Sequence, residues 1–499
     1  MWILDELEKL KNSNELAIIY RENKITFNEL WNRSEQIASY ILSVCKTNSP
    51  VLIYGNKEID IITIMIASLK TGRAYSPVDI TYPPERLYKI AKITNAELIF
   101  NFSNIELSGD FHVADQEKVD EICLRECEEL PKAAWVKDED ICYILFTSGS
   151  TGDPKGVPIN KKNLMNFVSW FKEICAIPGS NNIVLNQVSY SFDVSNISIY
   201  IYLPMGNTLF NIDKRMLDNT KELFYYLRKS NISVWISTPA FLEICSFDEN
   251  FNLTMLPSLN KFILAGEVLT KKLVKSIYSK FNNSTIINGY GPTEGTVLLT
   301  ACEITDEMID DDKNLPIGKP LTDATYSIIG KDNRPVEYGT QGELVVISDS
   351  ISMGYYNNQV QTDKVFFKSE DGRNGYYTGD LVFENNGLIY YIARKDFQIK
   401  LNGFRIELDD IANNLNKIEF INGSVVMPIY KDERVSYIVA FVTLNKKMEE
   451  SNLKLGIKIK NELRNLVPSY MVPKKVKILD VFPLNTNGKI DRKRLMEEI

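Results

Sequence analysis

Hydrophobic positions follow two alternating rhythms up to about residue 390. Short β-rich runs at 51–54, 96–100, 234–237, 262–264 and 285–287 are separated by stretches of helical spacing such as 60–70 and 221–229. Strand–helix alternation of this kind predicts an α/β domain on a largely parallel sheet. From about residue 325 the texture changes. Runs at 324–329, 342–347 and 387–392, punctuated by Gly and Asn, predict hairpin strands and a β-rich subdomain over about 325–395. The charged stretch Arg394-Lys-Asp396 follows. The rest reads strand, helix (407–415), two strands (423–429 and 437–444), helix (456–466) and strand. The predicted fold is α/β and multi-domain: a large N-terminal α/β domain over 1–395 and a small α+β domain over 396–499. A length of 499 residues also exceeds a single core.

Composition narrows the chemistry. With 44% hydrophobic and 24% charged residues the chain is an ordinary globular protein. A net charge of −8 and no basic stripe argue against nucleic acid as a partner. The first residues form an acidic amphipathic helix rather than a signal peptide, and the longest apolar run, 61–69, is far short of a membrane span. The expected location is the cytoplasm. The seven cysteines lack metal-binding spacing. Cys123 and Cys127 are predicted i,i+4 on a helix with no further ligand to complete a zinc set. His112 is the one histidine, which sets aside Ser-His-Asp hydrolysis and histidine-based metalloproteolysis. Chemistry must run on carboxylates, lysines, hydroxyls and a hard cation.

The segment Thr147-Ser-Gly-Ser-Thr-Gly-Asp-Pro-Lys-Gly156 packs hydroxyls, glycines and a lysine directly after the apolar run 141–146. Backbone N–H groups in such a loop can close on an anion, and Lys155 adds charge. It is not a Walker A loop, because Pro154 precedes the lysine and Gly156 follows it. Asn288-Gly-Tyr-Gly-Pro-Thr-Glu294 follows a strand and offers a carboxylate to a cation. Tyr377-Thr-Gly-Asp380 puts an acid after a tight turn, suited to vicinal ribose hydroxyls. Two more segments are Lys400-Leu-Asn-Gly-Phe-Arg-Ile-Glu-Leu408 and Pro483-Leu-Asn-Thr-Asn-Gly-Lys489. Taken singly, these four also read as plain turns, a helix entry or a solvated lysine.

In this order and spacing the set resembles the AMP-forming adenylation superfamily, and within it the amino-acid-adenylating branch that loads D-alanine onto a carrier protein. The likeness spans nearly the whole chain, from Ile25-Thr-Phe-Asn-Glu-Leu30 and Ala74-Tyr-Ser-Pro-Val-Asp79 to Lys489. Leu185-Asn-Gln, Ser191-Phe-Asp-Val-Ser195, Gly266-Glu-Val-Leu269 and Asp396-Phe-Gln-Ile-Lys400 carry the nearer resemblance. It implies ATP and Mg²⁺. By the same resemblance Thr147, Ser148, Thr151, Lys155, Gly266, Glu267, Asn288, Tyr290, Thr293, Asp380 and Arg394 form the nucleotide site. Glu294 would bind the metal, and Lys489 would act in adenylation. The Lys400–Arg405 face would replace Lys489 after the small domain turns on the hinge Asp396. Ala393 departs from the glycine usual before the arginine, and its methyl is expected to restrict φ.

The resemblance also implies an amino-acid pocket of Asp193, Val194, Ile197, Ala265, Gly289, Val297 and Leu298, with Asp193 taking the α-ammonium. A buried carboxylate needs a cationic partner, which favours an amino acid over a fatty or aromatic acid. Val194, Gly289 and Ala265 are smaller than the residues this branch usually has there, so the cavity is expected to be enlarged. One unfilled methylene is worth roughly 1–3 kcal/mol. D-alanine and a larger apolar residue, valine or proline, both stay open, with a CoA ligase as a rival class. The chain runs only ten residues past Lys489, so the thiol acceptor is expected in trans, on a separate phosphopantetheinylated carrier protein. Lys474, Lys475 and Lys477 offer it a basic face.

Overall fold

The computed structural model describes all residues except 149–152, 178–180, 397, 432–433, 447, 449, 484–489 and 498. The chain forms two compact units. The larger comprises Met1–Ile80, Ala91–Phe146 and Gly156–Lys395; the smaller comprises Thr81–Ile90, Thr147–Lys155 and Asp396–Ile499.

Within the larger unit the alternation produces two mainly parallel sheets. One has, among the described residues, nine strands, with Thr285–Tyr290, Lys261–Ala265, Val234–Ser237, Ile183–Asn186, Thr208–Asn211 and Leu16–Tyr20 as its parallel middle. The other centres on Leu98–Asn101, Val51–Gly55, Tyr75–Asp79 and Ile141–Thr147. Val51–Gly55 and Tyr75–Asp79 are buried at every position, as strands covered on both faces must be. The helix Ile59–Lys70 is buried nearly all round, so it lies inside the core rather than on its surface. Capping is explicit where helices begin: Thr26 and Glu29 form a reciprocal capping box on Phe27–Val44. The main core runs from Trp2 through Ile53 and Leu145 to Ile197 and Ala265.

The β-rich texture after residue 325 becomes a five-stranded antiparallel sheet of Thr325–Ile329, Gly342–Ile347, Phe366–Lys368, Asn374–Asn385 and Leu388–Arg394. Ala393 is an ordinary strand residue paired with Leu381, and its φ is not positive. The expected restriction from its methyl therefore has nothing to act on. The small unit has the hairpin Gln398–Leu401 and Phe404–Glu407, helices Leu408–Leu415 and Asn452–Arg464, and a sheet of Ile421–Lys431, Arg434–Leu444 and Lys475–Leu479. Ile406, Ile411, Ile438 and Ile459 are core residues there.

The cysteine expectation is corrected. The helix Gln116–Ile122 ends at Cys123 and Cys127 lies beyond it, because the polar run that follows has no apolar face to bury. Among the described residues no group of three or more His, Cys, Asp or Glu could hold a metal, and no helix is long and apolar enough to cross a membrane.

Candidate active site

Parallel strands that end together leave a crevice at their carboxyl ends, where backbone groups point outward. Here Ala265 and Gly289 are register partners at the ends of Lys261–Ala265 and Thr285–Tyr290. Gly266 follows at φ +92°, a left-handed conformation that a side chain would strain. The Glu267 carboxylate accepts the Ala240 N–H at 3.1 Å, in the first turn of the helix Pro239–Ser246. Asn288 braces the strand end from the side, its amide donating to the Pro316 carbonyl at 2.8 Å.

Tyr290, Asp380 and Arg394 come together although 90 residues separate the first two in sequence. The Tyr290 hydroxyl donates to Asp380 Oδ2 at 2.5 Å, and Arg394 Nη1 lies 3.1 Å from Oδ1. The same guanidinium donates to the Thr378 carbonyl at 2.6 Å. Asp380 Oδ1 accepts no hydrogen bond, which leaves an acceptor oxygen within the cluster. Gly379 makes the close approach feasible, because a Cβ there would sit 2.8 Å from Arg394 Nη2. Burial, and then the Asp380 charge, hold the Tyr290 phenol well above its ordinary range, so it stays a donor.

Glu294 is fully buried in the turn Thr293–Gly295, and the Tyr355 hydroxyl donates to its Oε1 at 2.7 Å. Tyr355 has no recognisable motif around it, and only the fold shows that it supports this carboxylate. The residues Thr296 and Val297, just beyond that turn, have φ of +57° and +71°. Positive φ at β-branched residues is a strained conformation, held here in part by the Thr296 hydroxyl on the Ser350 carbonyl at 2.6 Å. The strained segment directs Leu298 back toward Gly289. A Cβ at Gly289 would meet Leu298 Cδ1 at 2.7 Å. The room left by glycine is therefore occupied by leucine, and Gly289 does not enlarge the cavity as its size suggested.

Val194, Ile197, Ala265, Val297 and Leu298 all belong to the main core. Asp193 precedes Val194 and is itself buried. The turn Ser195–Ile197 opens on Val194 with no side-chain cap, so capping does not account for the aspartate.

In the small unit Ser148 and Lys155 lie against the hairpin that carries Lys400. The Ser148 hydroxyl donates to the Arg405 carbonyl and accepts the Glu407 N–H, both at 3.1 Å. Lys155 Nζ is 3.9 Å from Glu407 Oε1, and Lys400 pairs in register with Arg405. Thr151 and Lys489 lie outside the described residues.

A nucleotide-type crevice, a buried acid–arginine pair and a separate small α+β unit define an adenylate-forming class of enzyme. Residues 8–356 match the family described as AMP-binding enzyme, and residues 410–489 match the AMP-binding enzyme C-terminal domain. The chain belongs to the AMP-binding enzyme family. It is similar over its full length, 36% identical across 506 residues with 100% of both chains covered, to a D-alanine–D-alanyl carrier protein ligase of Bacillus licheniformis. The Bacillus cytotoxicus ligase of the same name is also 36% identical, with 100% of both chains covered. Among solved structures, the fold matches a Vibrio cholerae adenylation domain in complex with glycyl-adenosine-5'-phosphate (TM-score 0.80, 20% identity, covering 99% of this chain and 96% of that one). It also matches an o-succinylbenzoate CoA synthetase from Bacillus subtilis (TM-score 0.84, 18% identity, covering 99% and 98%).

Proposed function

We propose that this chain uses ATP to activate D-alanine as its acyl-adenylate and transfers the acyl group to the phosphopantetheine thiol of a separate carrier protein. Full-length similarity to ligases named for that reaction supports the class. The observation that carries the small substrate is Leu298 packed into the space beside Gly289. It disfavours valine and proline.

In this reading the substrate carboxylate attacks the α-phosphorus and pyrophosphate leaves. No general base is needed, since the carboxylate is already ionised. Positioning and charge stabilisation supply the acceleration. Asp380 would accept the ribose hydroxyls while Arg394 and Tyr290 fix its orientation. Thr147, Ser148, Thr151 and Lys155 would hold phosphate oxygens, Lys489 would face the developing negative charge, and Asp193 would take the ammonium. Gly266, Glu267, Asn288 and Thr293 would border the nucleotide. The thiol would then displace AMP, with Lys400 facing the reaction once the small unit has turned at Asp396. Glu294, one buried carboxylate with no cluster of further acidic ligands around it among the described residues, suits a Mg²⁺ ion completed by substrate phosphates. That ion would neutralise phosphate charge.

Pyrophosphate exchange measured with D- and L-alanine, glycine, valine and proline tests the reading. D-alanine should support the fastest exchange at low concentration. A preference for valine or proline would refute it.

A further inference from the structure

The hairpin that carries Lys400 is a two-stranded sheet of its own, Gln398–Leu401 paired with Phe404–Glu407 across the turn Asn402-Gly403. Such a hairpin is only marginally stable unless something packs on it. Residues opposite one another share a face, and neighbours along a strand point to opposite faces. Lys400 and Arg405 are an opposed pair and stand on one face; Leu401 and Phe404 are the next pair and stand on the other. Leu401 is buried in the core of the small unit, and Phe404 packs against that core. The hairpin thus has an apolar back and a cationic front.

What meets the back is a ring. Phe404 and Tyr470 stack with centroids 3.7 Å apart and planes at 15°. Tyr470 sits in the turn Ser469–Met471, anchored by Met471, which is fully buried in the same core. Tyr82, from the segment Thr81–Ile90 of the same unit, lies 6.1 Å from Tyr470 with the planes at 58°. The Tyr470 hydroxyl donates to that of Tyr82 at 3.4 Å. The Arg86 guanidinium in turn lies 5.0 Å from the Tyr82 ring centre. Arg86 is buried, and among the described residues its Nε and Nη2 make no hydrogen bond, so its contact here is with the ring. Aliphatic packing is non-directional, whereas stacked rings hold a preferred separation and tilt. The array therefore does more than cover the hairpin: it orients it.

We infer that Tyr470 is a positioning residue for the transfer step: its ring, braced by Tyr82, fixes the back of the hairpin and so sets where Lys400 and Arg405 stand on the front. This rests on the assignment of the Lys400 face to transfer under the proposed function. In that step the thiol loses its proton to solvent and its sulfur bonds the acyl carbon. The bond from that carbon to the phosphate oxygen breaks, and AMP leaves with the electron pair. Charge shifts onto the leaving phosphate, and a cation stabilises it best when placed beforehand. Adenylate formation does not call on this face, so the two half-reactions should separate.

The test uses the full chain, with Y470L, Y470F, Y82L and K400A compared to the parent. Three readouts are needed: pyrophosphate exchange with D-alanine, single-turnover discharge of bound D-alanyl-adenylate to pantetheine, and thermal unfolding. Y470L should slow discharge about tenfold or more, since misplacing a group by about 1 Å costs on the order of 100-fold. Exchange should stay within about twofold of the parent. Y470F keeps the ring and should keep both rates. Y82L removes the brace, should slow discharge less than Y470L does, and decides the matter if Y470L does not fold. Discharge at the parent rate in the deciding variant, an equal fall in exchange, or a Y470F as slow as Y470L overturns the inference and marks Tyr470 as structural. If K400A discharges at the parent rate, the assignment of the Lys400 face fails and takes the inference with it. If K400A is slow while Y470L is not, only the inference fails.

Discussion

Around Asp380 a phenol, a guanidinium and a carboxylate engage one another, whereas at Tyr75 two neutral phenols, its own and that of Tyr200, share a single hydrogen bond. Both clusters are buried in the same unit, so the difference is not one of solvent access. It lies in charge. At Asp380 the orienting contacts are formed in advance, which keeps the carboxylate fixed. At Tyr75 the contact joins two neutral hydroxyls, and no charge depends on it. A mutation should therefore be felt more strongly in the first cluster than in the second.

Asp380→Ala gives the largest expected effect. It leaves the Arg394 guanidinium without its buried counter-charge and the Tyr290 hydroxyl without its acceptor. Breaking a buried pair in this way costs about 3–5 kcal/mol. Thermal unfolding should show it as a fall of several degrees in the absence of ATP. A variant that melts with the parent would mean that the cluster is not held together in advance.

A buried carboxylate in the small unit, Asp410, sharpens the contrast. Burial pushes Asp410 up to about 6, against the weaker opposing pull of Arg86, Lys417 and Lys89. Its pKa is higher folded than unfolded, so the folded state binds more protons between about pH 4 and 6. The stabilisation is present below that window and is lost as pH rises through 6. Asp410→Asn keeps an acceptor for the Asn414 amide, which now donates to Asp410 Oδ1 at 2.8 Å. The variant should lose the pH slope and gain about 2–3 kcal/mol at pH 7, as two pKa units imply. Unfolding followed at pH 4.5, 6 and 7.5 checks this, and parallel pH profiles for the two proteins would refute it.

Much of this was legible in the residues, and the limit is instructive. Periodicity located the strands Val234–Ser237 and Gly342–Ile347 at their observed bounds, because burial on alternating or on both faces leaves a pattern in sequence. The segments around Asp380 and Glu294 were readable because a tight turn demands glycine or proline beside the acid. Tyr355 was not, because it gains its meaning from a partner tens of residues away. Side-chain volume misled at Gly289, where a strained turn beyond the strand's own pattern delivers Leu298 into the gap. The size of a residue is read directly from its identity, while the cavity depends on what else reaches it.

Tyr290→Phe should cost about 1.5–3 kcal/mol, since it removes a hydrogen bond to a buried charged group. The affinity for ATP should fall with it, as Asp380 gains freedom to rotate. Fluorescence or calorimetric titration with ATP reads the second effect, and unfolding reads the first. A loss of ATP affinity with unchanged stability would place Tyr290 on the ligand rather than on the aspartate.

Tyr75→Phe carries the smallest effect and separates the two kinds of cluster most cleanly. The Tyr75–Tyr200 contact joins two neutral hydroxyls, both buried, and a hydrogen bond of that kind contributes about 0.5–1.5 kcal/mol. Removing one partner also leaves the Tyr200 hydroxyl unsatisfied, which puts the expected loss at the upper end of that range. Tyr75→Phe should thus melt lower than the parent while keeping its KM for D-alanine. If Tyr75→Phe melted with the parent instead, the Tyr75–Tyr200 hydrogen bond would contribute nothing beyond packing, and charge would be the whole of what distinguishes the two clusters.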